Sequence, residues 1–224
     1  MDIQNKKNNN TILEYACYDE VLTENIKSNV FKAIDLGVHG ISVPAAHITS
    51  LSDLIPEGMI LSCPIDWPEG RSSNSLRIHA ATKAIHKGAN ALDLVANCVL
   101  FRNGREVDFM QDIKSIKGLA DDRNVTLRVM IDHRKVDDGR QFRQMVELVK
   151  CTDVEFIFCA TGQYIDDIHD NLILCNMAQQ DFGLNAIANA SLFLPNHLKA
   201  SQDTGLFGAR FHKINALENC LVGV

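Results

Sequence analysis

Asp93 is the side chain of this 224-residue chain whose surroundings most demand an account, because it stands inside the apolar run Ala91-Leu-Asp-Leu-Val-Ala96. A carboxylate buried in such a run must be paired or hydrogen-bonded. Arg128, inside the run from Val125 to Ile131, offers a permanent cation that cannot serve as an amine nucleophile. One reading of the two is a structural ion pair; the other gives Asp93 proton transfer or ligand binding. His133, between Asp132 and Arg134-Lys135, is a candidate acid or base at the end of a strand, weighed against a solvated loop. His47 and His212 are weaker candidates of the same kind. Lys213, also at a strand end, is a lysine placed to act as an amine nucleophile, the alternatives being a surface lysine or a neutraliser of a bound anion. Cys159 would be a thiol nucleophile, but alternation along its strand turns it away from the side that Phe158 faces, so it reads as packed. The same alternation turns Asn97 and Asn189 inward, as members of a satisfied core network or as binding groups.

These residues fall on a regular alternation of elements. A short strand over Ile12 to Tyr15 precedes a helix over Asn25 to Leu36, where Ile26, Val30, Ala33 and Ile34 recur at helical spacing, Thr23 offers a cap and Gly37 a stop. Strands follow at Gly40 to Val43, Met59 to Cys63, Ala91 to Ala96, Val125 to Ile131, Glu155 to Ala160, Asn185 to Ala190 and Arg210 to Ile214. Helices are expected over Ser73 to Lys87, over Val107 to Leu119, along the stripe Phe142, Met145, Val146 and Val149 opened by Asp137 and Asp138, and over Asp166 to Gln180. Eight strands alternating with helices form parallel βαβ units, which close as a barrel or lie open as a doubly wound sheet. No G-x-G-x-x-G and no P-loop follows a strand, so nucleotide folds lack their signature.

The length suits one domain with a large core, residues 11–224, behind a polar tail over residues 1–10. No run reaches the roughly 18 consecutive apolar residues of a membrane span. The net charge of −6 disfavours nucleic acid and anionic membranes. Seven scattered cysteines with no close pair suggest a reducing cytoplasm and no zinc site; neither a cofactor nor a metal is expected.

Particular motifs carry a resemblance. The stretch Gly88-Ala-Asn-Ala-Leu-Asp-Leu-Val-Ala-Asn97 resembles the GADELD-hydrophobic-V-x-N strand of deoxyribose-phosphate aldolases, and Ile65-Asp-Trp-Pro-Glu-Gly70 resembles their FPEG turn. Leu127 to Asp132 is similar to the family's LKVIIE, Glu155 to Gly162 to DFVKTSTG, Gly183 to Ala190 to VGVKASGG, and Gly208 to Lys213 to GATRIG. The resemblance runs from about Glu14 to Asn215. It implies a single-domain (β/α)8 TIM barrel and a lyase of deoxyribonucleotide catabolism that cleaves 2-deoxyribose 5-phosphate to glyceraldehyde 3-phosphate and acetaldehyde. In that family a strand-six lysine forms a Schiff base, a strand-seven lysine lowers its pKa, and a strand-four aspartate handles protons.

Carried across, the aspartate is Asp93 and an added cation is Arg128, but the two lysines fall on Phe158 and Ile187. The resemblance further points to Thr161, Gly162 and Ser191, with Arg128, Asn97 and Asn189, as substrate-binding positions. The glycine-rich phosphate turns read here Ala190-Ser-Leu192 and Lys213-Ile-Asn215.

A Schiff-base aldolase needs a neutral amine near pH 7. Phe158 and Ile187 supply none. The expected function is therefore a barrel of this family without Schiff-base aldol activity, a pseudoenzyme retained for binding or subunit interaction, as a homodimer or as a heteromer with an intact paralogue. The rival is an active aldolase or lyase on 2-deoxyribose 5-phosphate or a related sugar phosphate, with Asp93, His133 and Lys213 as its catalytic groups.

Overall fold

The computed structural model describes residues 11–20, 22–164, 168–190 and 193–222. The tail expected over residues 1–10 lies outside them. Eight strands, β1 (Ile12–Ala16), β2 (Gly40–Ser42), β3 (Ile60–Ile65), β4 (Ala91–Val95), β5 (Thr126–Met130), β6 (Phe156–Phe158), β7 (Asn185–Ala190) and β8 (Gly208–Phe211), pair in parallel with their sequence neighbours. β8 returns to β1, with Glu14 opposite Arg210, and closes the barrel. Around it run α1 (Thr23–Asp35), α2 (Ala45–Leu51), α3 (Asn74–His86), α4 (Cys98–Arg102), α5 (Glu106–Asp121), α6 (Gly139–Lys150), α7 (Ile168–Phe182), α8 (Pro195–Asp203) and α9 (Ile214–Val222). This is a single-domain TIM barrel, the closed form of the two that the alternation allows. Among the described residues no helix is long and apolar enough to cross a membrane.

α6 shows how local sequence makes these elements. The Asp138 side chain accepts from the Gln141 N–H at 2.8 Å and caps the helix, while Phe142, Met145, Val146 and Val149 bury one face. Each such side chain contributes about 1.5–3 kcal/mol of burial. At α1 the expected cap does not form: Thr23 is the first helical residue, preceded by Leu22, which makes no side-chain hydrogen bond.

β8 lies earlier than expected. A Cβ on Gly208 would stand 2.8 Å from Ile12 Cγ1, so a side chain at the start of the strand would have to displace that of Ile12. Ile214, expected to end that strand, opens α9 instead. β6 is regular over three residues only, shorter than the run Glu155 to Ala160.

Alternation then separates two apolar regions. Most buried side chains lie between strands and helices, whereas Val95, Met130, Phe158 and Ile187 form a separate cluster inside the barrel, joined by Ile12, Trp67 and Phe207.

Candidate functional site

Against the Phe158 ring of that inner cluster, the barrel is charged. Asp93 on β4 accepts from Arg128 Nε at 2.7 Å, Ser42 Oγ at 2.9 Å and Ser62 Oγ at 2.8 Å, and Arg210 Nη1 lies 2.9 Å from its Oδ2. Glu14 on β1 accepts from Arg128 Nη1 at 2.5 Å and from Arg210 Nη2 at 2.6 Å. None of these four side chains is more than 2 % exposed. Two carboxylates and two guanidinium groups therefore balance in a layer that crosses the barrel. The guanidinium carbons of Arg210 and Arg128 lie 4.2 Å and 5.3 Å from the centroid of the Phe158 ring, so the aromatic face adds a cation–π contact.

Burial opposes ionisation of Asp93, but Arg128, Arg210 and the donated hydrogen bonds outweigh it and hold the carboxyl at about 2. Arg210 is pushed above its ordinary value by Asp93, Tyr18 and Glu14, against its desolvation. Asp93 and Arg210 are thus both ionised throughout the physiological range.

Above it, at the C-terminal ends of the strands where barrel enzymes keep their chemistry, His212 is buried. Its Nε2 lies 2.7 Å from Asn189 Oδ1. Asn189 Nδ2 donates to the Ala160 carbonyl at 2.9 Å, which turns Oδ1 toward the imidazole and makes Nε2 the protonated nitrogen. Burial first, and then the charge of Arg210, depress the His212 pKa to about 3. Gly162 has φ +73°, and a Cβ there would collide with His212 Nε2.

The other expected residues separate into groups. Asn97 lies beyond the end of β4, where strand alternation no longer applies, and its side chain caps α4 by accepting from Leu100 N–H at 3.4 Å. Thr161 is buried, and its carbonyl accepts from Trp67 Nε1 at 3.0 Å. His133 Nδ1 donates to the Cys159 carbonyl at 3.0 Å, and the ring lines a recess with Phe142 and Ile173, on α6 and α7, away from Asp93. Lys213 is exposed, with Nζ 3.0 Å from Asp19 Oδ2. It lines a recess of about 200 Å³ with Tyr15, Cys17 and Tyr18. Cys159 is buried against Cys175 outside the barrel wall, and burial raises its thiol pKa. His47 is half-buried on α2. Ser191 lies outside the described residues. Among the described residues no group of three or more His, Cys, Asp or Glu could hold a metal ion.

Glu14, Arg210, Ser42, Ser62, Tyr18 and Trp67 complete the site and were not among the expected residues. A signal for two of them was present: Glu14 and Arg210 each stand as a lone charge in a short apolar strand, as Asp93 and Arg128 do.

No family model matches the chain. It is 26% identical over 139 residues to the deoxyribose-phosphate aldolase of Clostridioides difficile strain 630, a stretch that spans 62% of each protein and so under two thirds of the relative's length. It is 27% identical over 158 residues to the deoxyribose-phosphate aldolase of Staphylococcus saprophyticus, covering 67% of this chain and 70% of that one. Among solved structures, the deoxyribose phosphate aldolase of Aeropyrum pernix superposes with a TM-score of 0.84 at 17% identity, over 97% of this chain and 93% of that one. The aldolase QR15 superposes with a TM-score of 0.82 at 17% identity, over 99% of both chains.

Proposed function

This chain is a divergent relative of the deoxyribose-phosphate aldolases, and from that premise we propose that it is a barrel of their kind without Schiff-base aldol activity, kept as a binding or subunit-interaction module. The observation that carries this reading is the engagement of Asp93. Among the described residues its ionic partners are two guanidinium groups, and none of the eight strands contains a lysine. The positions to which the resemblance assigns the amine and its neighbour hold Phe158 and Ile187, both fully buried.

A carbonyl compound that reached this layer would meet two guanidinium groups, whose protons are not released near neutral pH, and a phenyl ring. Attack by an amine needs an unprotonated nitrogen within bonding reach of the carbonyl. Lys213, the remaining candidate, is exposed and paired with Asp19 at the surface.

Subunit interaction is supported by the tetramer described for the Aeropyrum pernix aldolase. A second copy of this chain, or a lysine-bearing paralogue, is the corresponding partner here. A sugar phosphate is the first small ligand to offer it.

The test is reductive trapping. Protein incubated with 2-deoxyribose 5-phosphate or with acetaldehyde and then treated with borohydride should keep its mass, read by intact-protein mass spectrometry. A stoichiometric adduct on any lysine overturns the reading. If the adduct vanished in Lys213→Ala, the repositioned-amine alternative would take its place.

A further inference from the structure

The mouth of the barrel holds a side chain that none of the chemistry above uses. Tyr18 lies in the segment that follows β1, and its hydroxyl oxygen is 2.7 Å from Ser42 Oγ and 3.0 Å from Arg210 Nη1. Ser42 gives its single hydroxyl proton to Asp93 Oδ2, so Tyr18 must be the donor to Ser42, while its oxygen accepts from Arg210. A relay results, from the Tyr18 hydroxyl to Ser42 and from Ser42 to Asp93. The phenol keeps its proton, because burial raises its pKa.

The ring is held as firmly as the hydroxyl. It meets Trp67 edge-on with centroids 4.8 Å apart and His212 with centroids 5.3 Å apart. Trp67 is anchored on the Thr161 carbonyl, and His212 on Asn189. Tyr18 therefore fills the space between two fixed rings, above a charged layer whose polar groups it partly satisfies.

A second observation bears on the same layer. Among the described residues Arg128 Nη2 is buried without a hydrogen-bond partner. A buried guanidinium N–H lacking an acceptor carries an uncompensated desolvation penalty, so the layer is one acceptor short of complete even with Tyr18 in place.

We propose that Tyr18 is a built-in plug, an autoinhibitory side chain occupying the ligand space of the barrel, and that the space it vacates takes a small hydroxylated molecule donating to Ser42 and accepting from Arg210. The inference deepens the amine-free reading: it names what the interior binds when no covalent chemistry is available. Ligand access then requires the Tyr18 side chain to leave the space between Trp67 and His212.

Removing the plug tests this, with phenol as the replacement for the lost side chain and benzene as the control lacking a hydroxyl. Thermal unfolding and the emission of Trp67, the single tryptophan of the chain, are the readouts. Tyr18→Ala should unfold at a lower temperature than the unaltered protein and regain most of the difference in phenol, by the linkage between ligand binding and stability. Benzene should restore less, since it leaves Ser42 and Arg210 without their partner. The unaltered protein should respond to neither compound.

Tyr18→Phe keeps the ring, folds with the mouth closed, and should ignore phenol. A phenol response in Tyr18→Phe or in the unaltered protein as large as that in Tyr18→Ala overturns the proposal, because the ring would then not be the plug. Folded Tyr18→Ala that takes up neither compound overturns it too, and equal rescue by phenol and benzene removes the hydroxyl recognition. Borohydride trapping stays separate: an adduct in Tyr18→Ala would sink the amine-free reading while leaving the occupancy result intact, and failure of phenol rescue would leave the amine-free reading untouched.

Discussion

Asp93, Glu14, Arg128 and Arg210 cancel one another's charge only as a set, so no member can be altered singly without leaving a charge in the barrel. Replacing Arg210 with Met keeps the volume but leaves Asp93 and Glu14 sharing one cation. Breaking a buried ion pair in this way costs about 3–5 kcal/mol. The urea midpoint of Arg210→Met should fall accordingly with the slope of the transition unchanged, and a midpoint equal to that of the unaltered protein would refute the role given to the layer. Half of this layer was legible in the sequence. Asp93 and Arg128 announce themselves because a charge in the middle of an apolar strand needs an opposite charge. Glu14 and Arg210 obey the same rule, but β1 and β8 are short and the expected bounds of β8 put Arg210 at the strand's edge, where a charge needs no explanation. Tyr18 and Trp67 were not legible, because they lie outside the strands, where alternation assigns no direction.

At the scale of elements, the segment after β6 is shaped by what stands opposite it. Gly162 adopts φ +73°, a conformation that favours glycine, and has His212 where a side chain would go. Gly162→Ala should therefore destabilise by about 1–3 kcal/mol, through backbone strain and displacement of the imidazole. The same substitution should change the environment of Trp67, whose indole is held by the neighbouring Thr161 carbonyl, so a shift in its fluorescence should accompany the lower midpoint. The eight strands and the long helices were legible because their apolar periodicity extends over several turns or residues. The short helices α2, α4, α8 and α9 were not: seven, five, nine and nine residues carry too few turns for a period to stand out. Asn97 shows the cost of misplacing an end by one residue. Continuing β4 through Ala96 points the side chain inward, whereas ending it at Val95 frees the amide to cap a helix.

For the molecule as a whole, acid should be felt early. His212 stays neutral in the fold down to about 3, while in the unfolded chain it takes a proton near 6.5. Below 6.5 the unfolded chain thus binds more protons, and stability falls as the pH drops from 6.5 toward 3. This one residue accounts for roughly 2 kcal/mol between pH 6.5 and 5. Asp93, whose folded pKa is depressed from 3.8 to about 2, adds a further loss over that lower window as the pH falls. Urea midpoints measured across these ranges should decline in both, and His212→Gln should flatten the upper one; an unchanged upper slope in that variant would assign the loss elsewhere. The charged layer has one more consequence, for the order of events during synthesis. Its members come from the first strand, two middle strands and the last, with Glu14 and Arg210 separated by 196 positions in the chain. Until β8 has left the ribosome, the growing polypeptide carries two acids and only one base for the place where the ring must shut. A partial barrel therefore has no neutral way to desolvate its own axis, and closure of the barrel waits for β8.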